Sequence, residues 1–306
     1  MEVIRLNGQK LNVKEPICSA IGFFDGLHRG HMALVDEVIR IAREKHYKTA
    51  LMTFDHHPLF VLGRLKEERY ITTMEDRIEL LEKLGIDYLF IIEFNQEVAS
   101  LLPQDFIHDY ILNSSIHHIV CGFDFHFGQK NMGSSKDFQD CPHLDVSVIE
   151  EVDYKGEKIS STRIRQLLEK GHIDEMNEIL GRHYQVKGQV IRGRQIGRLI
   201  GFPTTNIDYQ SYFLPARGVY AVKFYLHEEV YLGMCNIGFN PTFTALDKPS
   251  LEVHIFDFNQ DIYGEDVKIE FYAKMRSEVH FLSKEQLIEQ LNQDQQQIYH
   301  FFKDLS

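Results

Sequence analysis

The part of the chain up to Gly181 alternates short apolar runs with amphipathic segments, and this alternation limits the folds it can adopt. Apolar runs without a polar face are expected of strands covered on both sides, and helix-like segments separate them. The pattern predicts a doubly wound parallel sheet, in which ligands bind beyond the carboxyl ends of the strands. The predicted strands are 19–24, 49–54, 88–92, 116–121 and 146–149, and the predicted helices are 32–45, 73–84, 104–112 and 162–170.

After Tyr184 the alternation ends and strand-like runs follow one another, separated by turn signals such as Asn240-Pro241. This pattern predicts a small antiparallel β-barrel. A last amphipathic segment, 283–303, predicts a terminal helix with Ser283 as its N-cap. We therefore expect two domains, 1–181 and 182–306. The predicted barrel strands are 185–191, 219–225, 230–236, 250–256 and 267–272.

The composition and charge of the chain limit the functional classes to which it can belong. The 306 residues carry a formal net charge of −12, which argues against a general nucleic-acid or membrane binder. The four cysteines are scattered without a Cys-x-x-Cys pair, as is typical of reduced thiols in the cytoplasm. The first residues lack the apolar core of a signal peptide, and no apolar run reaches the length of a membrane span. We expect a cytoplasmic protein that acts on small molecules.

The stretch from Gly22 to His31 joins the first predicted strand to the first helix. A glycine-bearing turn before a helix directs backbone N–H groups and the positive helix end at one point, which suits phosphate. Gly26 and Gly30 let the backbone approach a ligand closely. His28 and His31 are spaced i, i+3, so on a helix they share one face and can stabilise a leaving pyrophosphate. A turn with two surface histidines is the simpler alternative, and a zinc site is less favoured because no nearby Cys or Glu completes it.

A second anion site is indicated by Ser161, Thr162 and Arg165, which open the predicted helix 162–170. Hydroxyls and guanidinium groups at a helix start bind anions. An ordinary N-cap explains the same residues when they are considered alone.

The stretch 193–206 contains glycines, arginines and neutral oxygen donors in a non-helical context. Thr204 and Asn206 lie on one side of an extended segment and are candidate Mg²⁺ ligands, since Mg²⁺ prefers oxygen and shares the phosphates of its substrate. Arg194 and Arg198 add positive charge. A surface loop that ends in a proline turn is the alternative.

Three further features of the sequence are less specific. Glu252 lies among apolar residues in an alternating strand, which makes it a candidate general base because burial raises a carboxyl pKa. Phe123, Phe125 and Phe127 alternate as on a strand with one apolar face, for which core packing is the default. His56 and His57 are adjacent, and neighbours on an extended chain rarely bind one metal ion.

The motifs resemble those of known enzymes. Gly-Phe-Phe-Asp-Gly-Leu-His-Arg-Gly-His (22–31) and Ile-Ser-Ser-Thr-Arg-Ile-Arg (159–165) are similar to the two phosphate motifs of the nucleotidyltransferase superfamily, and their Phe-Asp-Gly resembles the prokaryotic bifunctional riboflavin kinase/FAD synthetases. The segment 193–206 and Glu-x-His-x-x-Asp-Phe (252–258) resemble riboflavin kinase motifs. His56 stands where that family usually has proline.

The resemblance implies three sets of site residues. The ATP site of the adenylyltransferase would comprise Gly22, Phe23, Asp25, Gly30, His31, Ser161, Thr162 and Arg165, with His28 and His31 as its catalytic groups. Its flavin contacts would be His57, Pro58 and Asp124. The kinase site would comprise Gly193, Gly197, Arg198, Gly201, Pro203, Thr204 and Asn206, with Mg²⁺ on Thr204 and Asn206 and with Glu252 as the base for the ribityl hydroxyl.

The hypothesis is therefore an enzyme that makes FMN from riboflavin and ATP, and then FAD from FMN and a second ATP. An adenylyltransferase with an inactive kinase half is one alternative. An adenylyltransferase for another phosphate ester is a second alternative, although it leaves the barrel unexplained. A non-catalytic flavin-binding regulator is the third. No nucleic-acid, membrane or obligate protein partner is expected.

Overall fold

The computed structural model describes residues 1–7, 13–193, 196–238 and 249–305. Arg194 and the predicted turn at Asn240-Pro241 lie outside the described residues. The chain forms two compact units, Met1–Ser161 and Thr162–Ser306, and each is described here by itself.

A parallel sheet forms the centre of the first unit. Its six strands in the described residues follow the order β1-β4-β3-β2-β5-β8, and all neighbours pair in parallel. Two small antiparallel ribbons, β6–β7 and β9–β10, lie outside it. The strands are β1 (Glu2–Leu6), β2 (Ile17–Ile21), β3 (Lys48–Phe54), β4 (Tyr88–Ile92), β5 (Ile116–Gly122), β6 (His126–Phe127), β7 (Gly133–Ser134), β8 (Asp145–Ile149), β9 (Asp153–Tyr154) and β10 (Glu157–Lys158).

Helices connect the parallel strands and supply the core with apolar faces. Helix α1 buries Leu34, Val35 and Val38, which recur at the helical period. The helices are α1 (Arg29–Lys45), α2 (Pro58–Val61), α3 (Met74–Lys83), α4 (Gln96–Ser100), α5 (Pro103–Phe106) with a π-helical continuation Ile107–Leu112, and α6 (Ser135–Gln139). Apolar clusters lie on both faces of the sheet, so the predicted doubly wound arrangement is confirmed.

Two details of the sequence interpretation change. The edge strand β1 was not predicted. The alternating Phe123, Phe125 and Phe127 do not form one strand, because only His126–Phe127 is extended and a turn precedes it. Phe125 and Phe127 pack into the core, whereas Phe123 is exposed, so that prediction was wrong for the first ring.

A closed antiparallel barrel dominates the second unit. Within the described residues its strands run in the order β11-β12-β15-β14-β13-β16, and this confirms the predicted barrel. Strand β12 was not predicted, since its polar residues follow glycines and a proline. The strands are β11 (Tyr184–Ile191), β12 (Thr205–Asp208), β13 (Gly218–Leu226), β14 (Glu229–Gly238), β15 (Ser250–Ile255) and β16 (Asp266–Arg276).

Four helices accompany the barrel in the described residues, namely α7 (Ser161–Lys170), α8 (Ile173–Leu180), α9 (Ile196–Leu199) and α10 (Lys284–Asp304). The predicted terminal helix is confirmed, and the Ser283 side chain accepts the Gln286 N–H as its N-cap. Ile298 and Phe302 of α10 pack against barrel residues such as Val219 and Met234.

The packing of α8 places the division between the units before residue 181. The Asn177 amide donates to the Phe271 carbonyl at 2.9 Å and accepts the Tyr184 N–H at 2.7 Å, both in the barrel. Residues 162–181, which the sequence groups with the first domain, therefore pack as part of the second unit. No helix in the part of the chain that the structure describes is long and apolar enough to cross a membrane.

Candidate active sites

The turn after β2 is held in place by hydrogen bonds to residues that follow a distant loop. The Asp25 carboxylate is 1% exposed and accepts the N–H groups of Ile71 and Thr72 at 2.9 and 3.1 Å. The Thr72 hydroxyl in turn accepts the Gly26 N–H at 2.8 Å. The Asp25 side chain therefore fixes the turn to the segment that begins at Ile71.

The backbone of this turn is unusual. Phe24, Gly26 and Leu27 have φ values of 55°, 98° and 40°, in the left-handed region that only glycine adopts without cost. Non-glycine residues in this region cost of order 1–3 kcal/mol each, and they concentrate at functional sites. Both Phe24 and Leu27 are buried, so packing holds the turn in a fixed shape before any ligand arrives.

The two imidazoles lie together at the start of α1. His28 is the N-cap, and its Nδ1 accepts the His31 N–H at 3.3 Å. The rings stack with their centroids 3.7 Å apart and their planes 14° apart. The prediction of a shared face is met by this stacking, although His28 precedes the first helical residue. The positive end of the helix and both rings thus lie at one place.

The second phosphate motif meets the first at this turn. The Ser161 hydroxyl donates to the Asp25 carbonyl at 2.7 Å across 136 positions of sequence. A Cβ atom built on Gly30 would lie 3.6 Å from the Ile159 carbonyl oxygen, so the start of α1 also approaches the motif 159–165. Thr162 and Arg165 follow Ser161 on α7, and Arg163 is instead paired with Glu175 at 2.7 Å.

Arg77 supports the same turn and was not singled out in the sequence. It is 2% exposed and donates to the Phe23 carbonyl at 2.8 Å, and its guanidinium lies 5.2 Å from the Phe23 ring centroid. Burial lowers the pKa of Arg77. Its sequence context, an arginine within a predicted amphipathic helix, is typical of a solvated face and gave no signal of this role.

The loop after β3 contacts the turn through an aromatic pair. The ring of His57 lies edge-on to Phe23, with the centroids 4.7 Å apart. His57 also caps α2, in which Pro58 is the first residue. Glu68 accepts the His57 N–H at 2.8 Å and contacts His56 Nδ1 at 2.8 Å. The structure thus places the predicted flavin residues His57 and Pro58 beside the predicted ATP residue Phe23.

The barrel brings a different set of polar residues together. Asn206 on β12 pairs directly with Glu252 on β15, and Thr204 donates its hydroxyl proton to a Glu252 carboxylate oxygen at 3.2 Å. Thr204, Asn206 and Glu252 are all half-buried, so Glu252 is less enclosed than the sequence suggested. The Pro203 carbonyl is 2.7 Å from His254 Nδ1, which fixes the start of this segment to β15.

The glycine-bearing loop before β12 contacts the same group. A Cβ atom on Gly193 would overlap the side-chain amide of Asn206, so only glycine fits there. Arg198 is exposed and lines a cavity of about 270 Å³ together with Pro203 and Thr204. Gly197 and Arg198 lie on the short helix α9 and Gly201 follows it, so the predicted non-helical context was wrong for Gly197 and Arg198. Of the predicted kinase residues, Arg198, Pro203 and Thr204 therefore line this cavity, and Thr204 and Asn206 lie beside Glu252.

Comparison with known proteins covers both units. The family described as FAD synthetase matches residues 10–163, and the family described as riboflavin kinase matches residues 180–302. A protein of Bacillus subtilis named bifunctional riboflavin kinase/FMN adenylyltransferase is 43% identical over 294 residues, which cover 94% of this chain and 92% of that protein. A Listeria monocytogenes protein of the same name is 40% identical with the same coverage. This chain belongs to the bifunctional riboflavin kinase/FMN adenylyltransferase family.

The family resemblance stated from the motifs is thereby confirmed. A solved structure described as a macrolide-efflux protein from Streptococcus pneumoniae is also similar, at 32% identity and a TM-score of 0.90, and the match covers 97% of this chain and 98% of that one. The similarity to family members extends through both units and is not confined to one motif.

Members of this family act on flavins according to their names, and the first unit has a cavity beside Pro58, one of the predicted flavin residues. The cavity has a volume of about 720 Å³ and is lined by residues that include Pro58, Leu62, Phe94 and Gln129. Asp124, the third predicted flavin residue, does not line it and is ion-paired with Lys158. Lys158 also lies 4.6 Å from the centroid of the exposed Phe123 ring.

The kinase half contains cavity residues that belong to matched motifs but were not among the predicted site residues. Phe258, Asp261 and Tyr263 line the 270 Å³ cavity opposite Pro203 and Thr204. The guanidinium of Arg192 lies 5.4 Å from the Tyr263 ring centroid. Asp261 and Tyr263 belong to a segment that is similar to a riboflavin kinase motif. This segment follows the strand that carries Glu252, and that position was the sequence signal that could have identified the two residues.

Proposed function

We propose that this chain phosphorylates riboflavin to FMN with one ATP and then adenylylates FMN with a second ATP, releasing FAD and pyrophosphate. The observation that carries the proposal is the presence of two separate polar sites in one chain of this family. One comprises His28, His31 and Ser161 around the turn at Asp25, and the other comprises Thr204 and Asn206 around Glu252.

We assign the kinase reaction to residues 182–306. Phosphoryl transfer requires chiefly positioning of the two reactants and neutralisation of charge. Glu252 accepts the proton of the ribityl hydroxyl as that oxygen attacks the γ-phosphorus, and ADP leaves with the bridging oxygen as the bond to the γ-phosphorus breaks. The Thr204 hydroxyl holds the carboxylate in place, and Arg198 with the glycine loop 193–201 binds the ATP phosphates.

Thr204 and Asn206 also fit a magnesium ion that arrives with ATP. Both offer neutral side-chain oxygens within the group around Glu252, and such hard donors suit Mg²⁺, which takes its remaining ligands from phosphates and water. When bound, the ion would supply neutralisation of the developing phosphate charge.

We assign the adenylylation reaction to residues 1–181. The FMN phosphate carries an oxygen that is already a nucleophile, so this reaction needs no strong base. His28 and His31, beside the positive end of α1, stabilise the leaving pyrophosphate. Ser161, followed on α7 by Thr162 and Arg165, and the backbone around Gly22, Phe23 and Gly30 bind the phosphates of ATP.

FMN would occupy the cavity next to Pro58. The Phe23–His57 contact joins this cavity to the ATP turn, which brings the flavin phosphate toward the α-phosphate of ATP. Asp124 is proposed as a contact at the edge of the flavin, once Lys158 has moved away from it.

Incubation of the pure chain with riboflavin, ATP and Mg²⁺ tests the proposal, with FMN and FAD separated by chromatography. We expect FMN to appear first and FAD after it. FAD formation from supplied FMN without any FMN formation from riboflavin would indicate an inactive kinase half. Flavin binding without turnover would indicate a regulator, and it would overturn the proposal.

A further inference from the structure

The barrel places a third polar side chain beside Glu252, on the side away from Asn206. Glu252 pairs in register with Asn206 on β12 and with Asn236 on β14. Side chains that lie directly opposite in antiparallel strands point to the same face, with Cβ atoms about 4.5–5.5 Å apart. Asn206, Glu252 and Asn236 therefore form one row across three strands.

The Asn236 amide is available for a ligand. Asn236 is half-buried, and its side chain makes no hydrogen bond to any residue that the structure describes. Gly238 leaves space beside the amide, since a Cβ atom on Gly238 would lie 3.4 Å from Asn236 Nδ2 and would overlap Glu278 Oε1. A half-buried amide without a protein partner can bind a substrate hydroxyl in place of water.

The charges along the row differ at its two ends. The Asn206 end carries Gly193 and, around Thr204, the cation Arg198. The Asn236 end carries the exposed carboxylate of Glu278. A polyphosphate is attracted to the first end and repelled from the second. A neutral amide between two carboxylates suits hydroxyl groups, because it can both donate and accept.

We propose that Asn236 is a specificity-determining residue of the kinase site and binds a second hydroxyl of the polyol acceptor. The acceptor chain would lie along the row, with its terminal hydroxyl at Glu252 and an inner hydroxyl at Asn236. ATP would approach from the Asn206 end. This inference rests on the proposed kinase function and adds to it the side of Glu252 from which the acceptor enters.

The test compares riboflavin with two flavins whose side chains lack the hydroxyl one or two carbons from the phosphorylated end. We expect the wild-type chain to prefer riboflavin over one of these analogues by about 10- to 100-fold in kcat/KM, the factor for one well-placed hydrogen bond. Asn236→Ala and the smaller polar variant Asn236→Ser should lower kcat/KM for riboflavin and reduce that preference to less than about threefold.

Asn206→Ala is the matched control, because it removes the same group from the other side of Glu252. It should lower kcat for riboflavin and the analogues alike and leave the preference unchanged. Chemical denaturation of the second unit reports whether each variant is folded, because FAD formation from supplied FMN depends on the other unit. If both Asn236 variants keep the wild-type preference, the inference is overturned. If the wild-type chain forms no FMN, the proposed kinase function itself fails, and that outcome is recognised before any variant is made.

Discussion

His56 gives the predicted flavin loop a titratable anchor at the position where the sequence motif of the resembled family has proline. Its Nδ1 lies 2.8 Å from Glu68 Oε2, and the other oxygen of that carboxylate accepts the His57 N–H. Asp55 is 4.0 Å from His56 Nε2, and Glu93 also contributes negative charge. The protonated histidine thus holds the loop through its contact with Glu68. A proline would instead stiffen the loop, because its ring fixes the backbone φ angle.

The hydrogen bond to Glu68 raises the pKa of His56 above its usual value of 6.5. A raised folded-state pKa means that the contact stabilises the protein fully below about pH 6.5 and that this stabilisation is lost as the pH rises through the folded-state pKa. NMR titration of His56 should give a pKa above 6.5 that falls toward 6.5 in Glu68→Gln.

The free energy of unfolding provides the second readout for His56. In the wild-type chain it should decrease as the pH rises through the folded-state pKa of His56, and His56→Gln should remove that part of the pH dependence. An unchanged His56 titration in Glu68→Gln would contradict the assignment of Glu68 as its anchor.

At the level of single residues, the motifs identified residues of the site but not the structural role of each side chain. Asp25 lies in the signature, yet its carboxylate binds the backbone of the segment that begins at Ile71. Arg77 supports Phe23 and is buried, although its pattern indicated a solvated helix face. Such tasks depend on contacts between distant segments, which no local pattern encodes.

Helix α10 is fastened to the barrel by a buried ion pair. Arg276 at the end of β16 contacts Asp294 through two nitrogens, with distances of 2.8 to 3.0 Å, and Asp294 is 0% exposed. Gln290 donates to the same carboxylate at 2.8 Å. The apolar face of α10, which includes Ile298 and Phe302, packs against the barrel beside this pair.

Asp294→Ala should destabilise the second unit by about 3–5 kcal/mol, because it leaves a largely buried guanidinium without its carboxylate. Chemical denaturation measures the change. Glu289→Ala on the exposed side of the same helix is the control and should change the free energy of unfolding by less than about 0.5 kcal/mol. Equal effects of the two variants would show that the ion pair does not fasten the helix.

Elements with strong periodicity were predictable, and those defined by context were not. The period of Leu287, Leu291 and Ile298 predicted α10, but Asp294 lies in a glutamine-rich run, where nothing in the sequence marks it as buried. Strand β12 was not predicted for a similar reason, because its residues are largely polar and follow Pro203. Its role in pairing Asn206 with Glu252 is visible only in the closed barrel.

For the whole molecule, the order of strands and helices predicted both architectures, and the boundary between compact units was less accessible. Helix α8 is amphipathic in the same way as the helices of the parallel sheet, so its sequence does not reveal that it packs on the barrel through Asn177. Motif resemblance placed Ser161 and Asp25 in one predicted ATP site but did not predict the contact between them, and spacing alone left each motif as an ordinary turn or cap.

Two independent sites for ATP are the central claim, and phosphorus-labelled ATP tests it most directly. The wild-type chain, Glu252→Gln, and the double variant His31→Ala with Ser161→Ala would each receive ATP labelled at the α- or the γ-phosphorus, with riboflavin or FMN. We expect γ-label in FMN and α-label only in FAD for the wild type. Glu252→Gln should lose the γ-transfer and keep the α-transfer to supplied FMN, and the double variant should do the reverse. Loss of both transfers in either folded variant would contradict separate sites.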